Sequence, residues 1–212
     1  MLSIVPLILG PVATNAYLIA DSESGEAAVI DPAWDGDFIL GEAKKRSWHI
    51  GQIWITHAHF DHIGGTGDLA RGLERAPVIA LHPADRSLWD TRGGASFFGV
   101  SLPPSPAPNL ELAHDMNLQL GSLHFQVRHA PGHTPGSCIF YCAQAATLFS
   151  GDLIFQHSVG RTDLPGGDWD TLVASIRTQI FTLPDETRLL SGHGPETRVG
   201  EEKRENPFVR AE

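Results

Sequence analysis

Cationic residues are scarce in this chain: 15 Lys and Arg stand against 25 Asp and Glu, for a formal net charge of −10 over 212 residues. That balance removes nucleic acid and anionic membrane surfaces from the expected partners, because both reward clustered Lys and Arg. Cysteine is equally sparse. Cys138 and Cys142 lie four apart in an apolar, strand-like run and point to one face. Two thiols are too few for a disulfide framework, and they read as buried and inert in a reducing, cytoplasmic setting. No apolar run is long enough to span a bilayer. The amino terminus "MLSIVPLILGPVATNAYLI" lacks a positive start and is broken by Pro6, Gly10 and Pro11, so it reads as a first strand pair. With neither repeat nor linker, residues 1–212 are expected to form one domain.

What the chain does contain is a series of short β-type runs: "SIVPLIL", "NAYLIAD", "EAAVIDP", "GQIWITH", "PVIALH", "LQLGSLHFQVRHAPG", "SCIFYC", "ATLFSGD" and "RLLSGHG". Helical spacing of apolar residues marks "DGDFILGEAKKRSW", "GTGDLARGLERA", "PADRSLWDTR" and "DWDTLVASIRTQIFTL". Strands arrive mostly in pairs with helices between them. The pattern predicts an α/β sandwich, two mixed sheets face to face with helices outside. The proline-rich "VSLPPSPAPNLEL" reads as a surface loop.

The densest chemistry is in "ITHAHFDHIGG". An extended backbone puts His57 and His59 on one face, while Asp61 and His62 follow where the chain turns toward Gly64 and Gly65. Four such donors do not easily share one tetrahedral centre. They suit two ions about 3.5–4 Å apart, the spacing of hydrolytic two-metal sites. Three further donors stand beside glycine near the ends of strand-like runs: His133 in "APGHTPGS", Asp152 in "LFSGDLIF" and His193 in "LLSGHGPET". One consistent assignment gives His57, His59 and His133 to the first metal, and Asp61, His62 and His193 to the second. Asp152 and a hydroxide bridge them. Two divalent ions against two carboxylates and one hydroxide leave roughly one positive charge, which favours an oxyanion forming on an attacked carbonyl. Metal binding lowers the pKa of water from about 15.7 to about 7, so no separate strong base is needed. Asp61 and Asp152 are thus the carboxylates expected to serve the chemistry. A nitrogen and oxygen donor set makes zinc the first expectation, with iron and manganese compatible.

Other histidines read as surface or capping residues, namely His49, His82, His114, His124 and His157; His129 lacks the glycine context of His133 and is set aside.

In order and spacing, "THAHFDH", "PGHTPGS", "SGD" and "SGHGP" resemble the metallo-β-lactamase superfamily, and within it the glyoxalase II-like hydrolases. "TNAYLI", "VIDP" and "GRTDLPGGDW" resemble that branch as well. The resemblance implies an αββα sandwich with a dinuclear centre on one edge. It also implies hydrolysis of a thioester such as S-lactoylglutathione, a small-molecule substrate. Zinc β-lactamases of the commonest kind carry cysteine where this chain has Asp152, which moves the expectation from β-lactams toward thioesters. Full-length glyoxalase II enzymes hold glutathione with a carboxy-terminal helical domain. Here "ETRVGEEKRENPFVRAE" follows His193, so the usual glutathione pocket is expected to be missing or rebuilt. Arg161 is a weak candidate for an anionic part of the substrate, with a structural pair to Asp163 as the alternative. Asn15 is a weaker one, with backbone bonding as its alternative. The rival reaction implied by the superfamily is persulfide dioxygenation at one iron held by His57, His133 and Asp152. Lactone or phosphodiester hydrolysis is a further alternative.

Overall fold

The computed structural model describes residues 1–210, so Ala211 and Glu212 of the carboxy-terminal tail lie outside the described residues. Strands β1 (Leu2–Leu9), β2 (Thr14–Asp21) and β3 (Glu26–Ile30) lead through helix α1 (Gly36–Lys45) to β4 (His49–Trp54). One-turn α2 (Phe60–Ile63), α3 (Thr66–Gly72), β5 (Val78–Leu81), α4 (Arg86–Asp90) and β6 (Leu110–Glu111) follow. Next come β7 (Asn117–Leu120), β8 (Leu123–His129), β9 (Cys138–Cys142), β10 (Thr147–Gly151) and the hairpin β11 (Ile154–Phe155) with β12 (Ser158–Val159). Helix α5 (Trp169–Ser175), β13 (Arg188–Ser191), β14 (Thr197–Arg198) and α6 (Val199–Glu205) complete the described elements.

The strands form two six-stranded mixed sheets, β1 to β6 in chain order and β14-β13-β10-β9-β8-β7. Period-two alternation builds the layers from both. Ile19, Trp54, Phe125, Phe140 and Phe149 meet between the sheets. Leu18, Val29 and Ile53 point to the opposite face, where Ile39 of α1 and Leu69 of α3 cover them. On the far side Ile139, Leu148 and Leu189 pack against Leu172 of α5 and Ile176. The αββα sandwich is therefore present, and each large side chain buried between the sheets contributes roughly 2–3 kcal/mol of transfer free energy. Cys138 and Cys142 are both buried and unpaired in that central layer. Burial pushes both thiols upward in pKa, as inert thiols require.

The apolar amino terminus is the β1–β2 hairpin. Pro6 is tolerated because β1 is an edge strand with one neighbour. No helix among the described residues is long and apolar enough to cross a membrane.

Two features differ from the sequence reading, and a third segment that it left unassigned gains structure. The "GQIWITH" strand stops at Trp54, so His57 lies in the connection beyond it. The proline-rich loop ends in β6, whose Leu110 and Glu111 pair in parallel with β5. The segment after His193 forms β14 and α6, with Val199 packed in the outer core.

Strand direction gathers the functional loops. β3 runs parallel to β4, and β10 parallel to β13. β8 and β10 are each antiparallel to β9, so they also run alike. The carboxyl ends of β8, β10 and β13 therefore emerge together, carrying His133, Asp152 and His193.

Candidate metal centre

In the loop after β4, His57 and His59 are buried and approach His133 from the second sheet. His133 Nε2 lies 2.9 Å from His59 Nδ1 and 3.1 Å from His57 Nε2. On the other side, His193 Nε2 is 3.2 Å from Asp61 Oδ2, and His62 Nε2 is 3.5 Å from the same oxygen. Asp152 spans the two groups. Its Oδ1 is 3.3 Å from His62 Nε2, and its Oδ2 is 3.5 Å from His193 Nε2 and 3.7 Å from His133 Nε2. His57, His59 and His133 form one group that could hold an ion, and Asp61, His62 and His193 another; Asp152 lies against both.

The hydrogen bonds behind these rings fix which nitrogens face inward. His133 Nδ1 donates to the Arg161 carbonyl at 2.7 Å, so its Nε2 carries a lone pair. His62 Nδ1 donates to Asp31 Oδ2 at 2.9 Å. Thr56 Oγ1 donates to that same carboxylate oxygen at 2.6 Å and accepts from His57 Nδ1 at 3.1 Å. Lone pairs of His57 and His133 thus point at each other, an arrangement that repels unless a cation lies between them. The His62 Nε2 and Asp152 Oδ1 atoms are buried, and neither has a hydrogen-bond partner among the described residues. Buried polar atoms left unpartnered at one spot are costly in a folded chain. Divalent cations satisfy both sets of atoms, and the donor types fit zinc, iron or manganese.

Charge distribution differs between the sets. Burial, reinforced by neighbouring imidazoles, pushes His57 well below its usual pKa and His59 down to about 3. Burial also acts downward on His62, but the facing Asp152 and Asp61 outweigh it and hold its pKa well above normal. His193 is raised to about 9 because hydrogen bonds to Asp152 and Asp61 overcome its burial. Burial would raise the Asp61 carboxyl, yet His62 and His193 bring it to about 2.

Asp31 and Asp85 are the functional residues that the sequence reading missed. Asp31 accepts from the Thr56 backbone at 2.8 Å as well as from Thr56 and His62 side chains. It holds a left-handed φ of 49°, which aspartate tolerates better than most residues. Asp85 accepts from the Ala58 amide at 2.9 Å, the Thr134 hydroxyl at 2.8 Å and the Gly136 amide at 2.7 Å. It ties the His57–His59 loop to the His133 loop. Gly192 supplies space of another kind: a Cβ there would collide with Asp152 Oδ1 and come within 2.6 Å of His62 Cε1.

The weaker candidates separate cleanly. Asn15 Nδ2 donates to the Ser191 and Gly194 carbonyls, both at 2.9 Å, which is the backbone-bonding alternative. It therefore anchors the His193 loop. Arg161 pairs with Asp163 through Nε at 2.7 Å and Nη2 at 2.8 Å, and it also lines the cleft over the centre. That cleft measures about 400 Å³. His82 accepts from the Ala84 amide as a turn cap and stacks on His129, and His49, His114, His124 and His157 are exposed.

The family model described as "Metallo-beta-lactamase superfamily" matches residues 9–193. The Haemophilus influenzae protein named hydroxyacylglutathione hydrolase GloC is 34% identical over 92% of this chain and 92% of its own length. Among solved structures, the B3 metallo-β-lactamase BLEG-1 superposes with a TM-score of 0.91 at 37% identity, covering 98% of this chain and 99% of that one. TTHA1623, described in a di-iron-bound form, gives a TM-score of 0.88 at 40% identity over 97% of this chain and 100% of its own.

Proposed function

Because the chain belongs to the metallo-β-lactamase superfamily, we propose that it is a metal-dependent hydrolase of thioesters such as S-lactoylglutathione. Two divalent ions, when bound, supply a hydroxide nucleophile at neutral pH and stabilise developing negative charge. His57, His59 and His133 would hold one ion and Asp61, His62 and His193 the other, with Asp152 between them. The chain's own contribution is to hold these donors together, with His57, His62 and His133 oriented by the hydrogen bonds on their outward nitrogens.

The observation that carries the thioester reading is the absence of a spare acid. Among the described residues lining the cleft, the ionisable ones are His59, Asp61, His133, Asp152, His193 and Arg161. Five belong to the ligand set, and the sixth is a guanidinium paired with Asp163. An amine leaving group requires a placed proton donor, whereas a thiolate departs without one. GloC, by its name, acts on a hydroxyacylglutathione, and that likeness supports the same bond class here.

The likeness to BLEG-1 makes β-lactam cleavage the second reading to compare. Metal analysis of the purified protein alongside S-lactoylglutathione hydrolysis tests the proposal. Two ions per chain and thioester turnover exceeding that of a β-lactam are expected. One iron with oxygen uptake on glutathione persulfide, and no thioester turnover, would overturn it.

A further inference from the structure

Beyond the ligands, the cleft is lined almost wholly by hydrocarbon. Val12, Phe60, Phe98, Phe155, Val159 and Leu164 form its walls, and among the described residues Arg161 is the one remaining lining residue outside the ligand set. Phe98 packs on Phe60 with ring centroids 5.0 Å apart, and Phe155 turns toward His193 at 6.0 Å. The Phe98 wall is attached firmly to the ligand loop. Gly93, in the segment that ends at Phe98, lies so close that a Cβ would collide with the Phe60 amide and come within 2.6 Å of the Ala58 carbonyl.

A glutathione thioester has two chemically unlike halves on either side of the attacked carbonyl. The tripeptide carries two carboxylates and an ammonium, and burying these requires charged or hydrogen-bonding partners. Among the described residues the walls offer Arg161 alone, with its Nε and Nη2 already on Asp163. The acyl half carries no such requirement. Resting on the thioester reading above, we infer that the apolar cleft selects the acyl half, and that the preferred substrates carry an alkyl or aryl acyl group. The thiol carrier extends toward solvent past half-exposed Phe98 and Val12, and it is weakly discriminated. A 2-hydroxyacyl group such as lactoyl places a hydroxyl against hydrocarbon and is the poorer match.

The experiment uses the metal-loaded full chain with acetyl, butanoyl, hexanoyl, phenylacetyl and lactoyl thioesters, each on glutathione and on N-acetylcysteamine. Transfer of each methylene into the cleft raises kcat/KM about fourfold until the walls are filled. Phenylacetyl exceeds acetyl by at least tenfold, and lactoyl falls below butanoyl. Changing the carrier alters kcat/KM less than changing the acyl group does. Phe98→Ala and Phe155→Ala flatten the dependence on acyl length, and half-exposed Phe98 can be removed without opening the core. Cleavage at equal rates across the series overturns the acyl inference and leaves the hydrolase reading standing. So does a carrier effect larger than the acyl effect, or an unchanged slope in both variants. No cleavage of any thioester with two ions bound overturns both.

Discussion

The first sheet delivers four candidate metal ligands from one short stretch, His57 to His62, whereas the second delivers His133, Asp152 and His193 from three separate strand ends. Packing four donors into one loop leaves them little freedom to diverge, so the loop is braced by buried carboxylates. Asp31 orients His62 and, through Thr56, His57; Asp85 pins the Ala58 amide. The distal three depend on sheet register and close backbone approach instead. Gly192 lets Asp152 and His62 come together, and the Arg161 carbonyl orients His133. One half has its rings oriented mainly by side chains, the other mainly by backbone, with Asn15 and Asp85 anchoring its loops.

Asp152 joins the halves, and its removal is expected to have the largest effect. Asp152→Ala should reduce bound metal below two ions per chain and lower turnover on the order of 10³-fold, as loss of several kcal/mol of charge stabilisation implies. Metal content and kcat measured on the same preparation check this. Near-normal turnover would mean that the halves operate independently.

The bracing carboxylates come next. Asp31→Ala should weaken metal affinity or activity by about 10- to 100-fold, the usual range for partners behind metal ligands. It also strands buried donors on Thr56 and His62, costing about 1–3 kcal/mol of stability and lowering Tm. Asp31 touches His62 directly and His57 only through Thr56, so its loss should weaken the second set more. Asp85→Ala should act on the first set, because it severs Ala58 from Thr134 and Gly136. If both variants lose the same ion first, in a titration that resolves the two, the division between the braces is wrong.

The contrast also explains what the sequence disclosed. His57, His59, Asp61 and His62 were legible because a local motif carries its own geometry, and the distal three because each stands beside glycine at a strand end. Asp31 and Asp85 were not: their partners lie 25 to 51 residues away, and a single acid after a strand or in a turn has many ordinary uses. The sandwich was legible from the strand runs because alternation specifies two buried faces. Strand β6 has two residues, too few to show alternation, and α6 reads VGEEKRE, with one apolar residue and no helical stripe.

Acidity separates the halves by a smaller, graded effect. In the metal-free protein His59, with a pKa of about 3, is neutral at pH 7, whereas His193, at about 9, is protonated. An ion entering the first set displaces no proton from His59, but one entering the second must displace protons from both His193 and His62, whose pKa is also raised. Apparent affinity for the second ion should therefore rise more than tenfold, and up to about a hundredfold, per pH unit toward about pH 9, and fall as pH drops. Affinity for the first ion should change much less between pH 6 and 9. Competition with a chromophoric chelator across that range would expose the difference, and parallel slopes would remove it.

The smallest effect is expected at Arg161, where backbone and side chain serve different purposes. The carbonyl orients His133, while the exposed guanidinium pairs with Asp163 on the cleft rim. Surface ion pairs of this kind contribute about 0–1 kcal/mol. Arg161→Ala keeps the carbonyl, so kcat and metal content should stay within about twofold of the parent. KM for a thioester with an anionic carrier should rise no more than about fivefold, with a smaller change for a neutral carrier. Steady-state kinetics with the two carriers distinguish these roles. A tenfold fall in kcat together with lost metal would mean that the side-chain pair, and not the peptide backbone, sets the His133 ring, so that both halves rely on side-chain bracing.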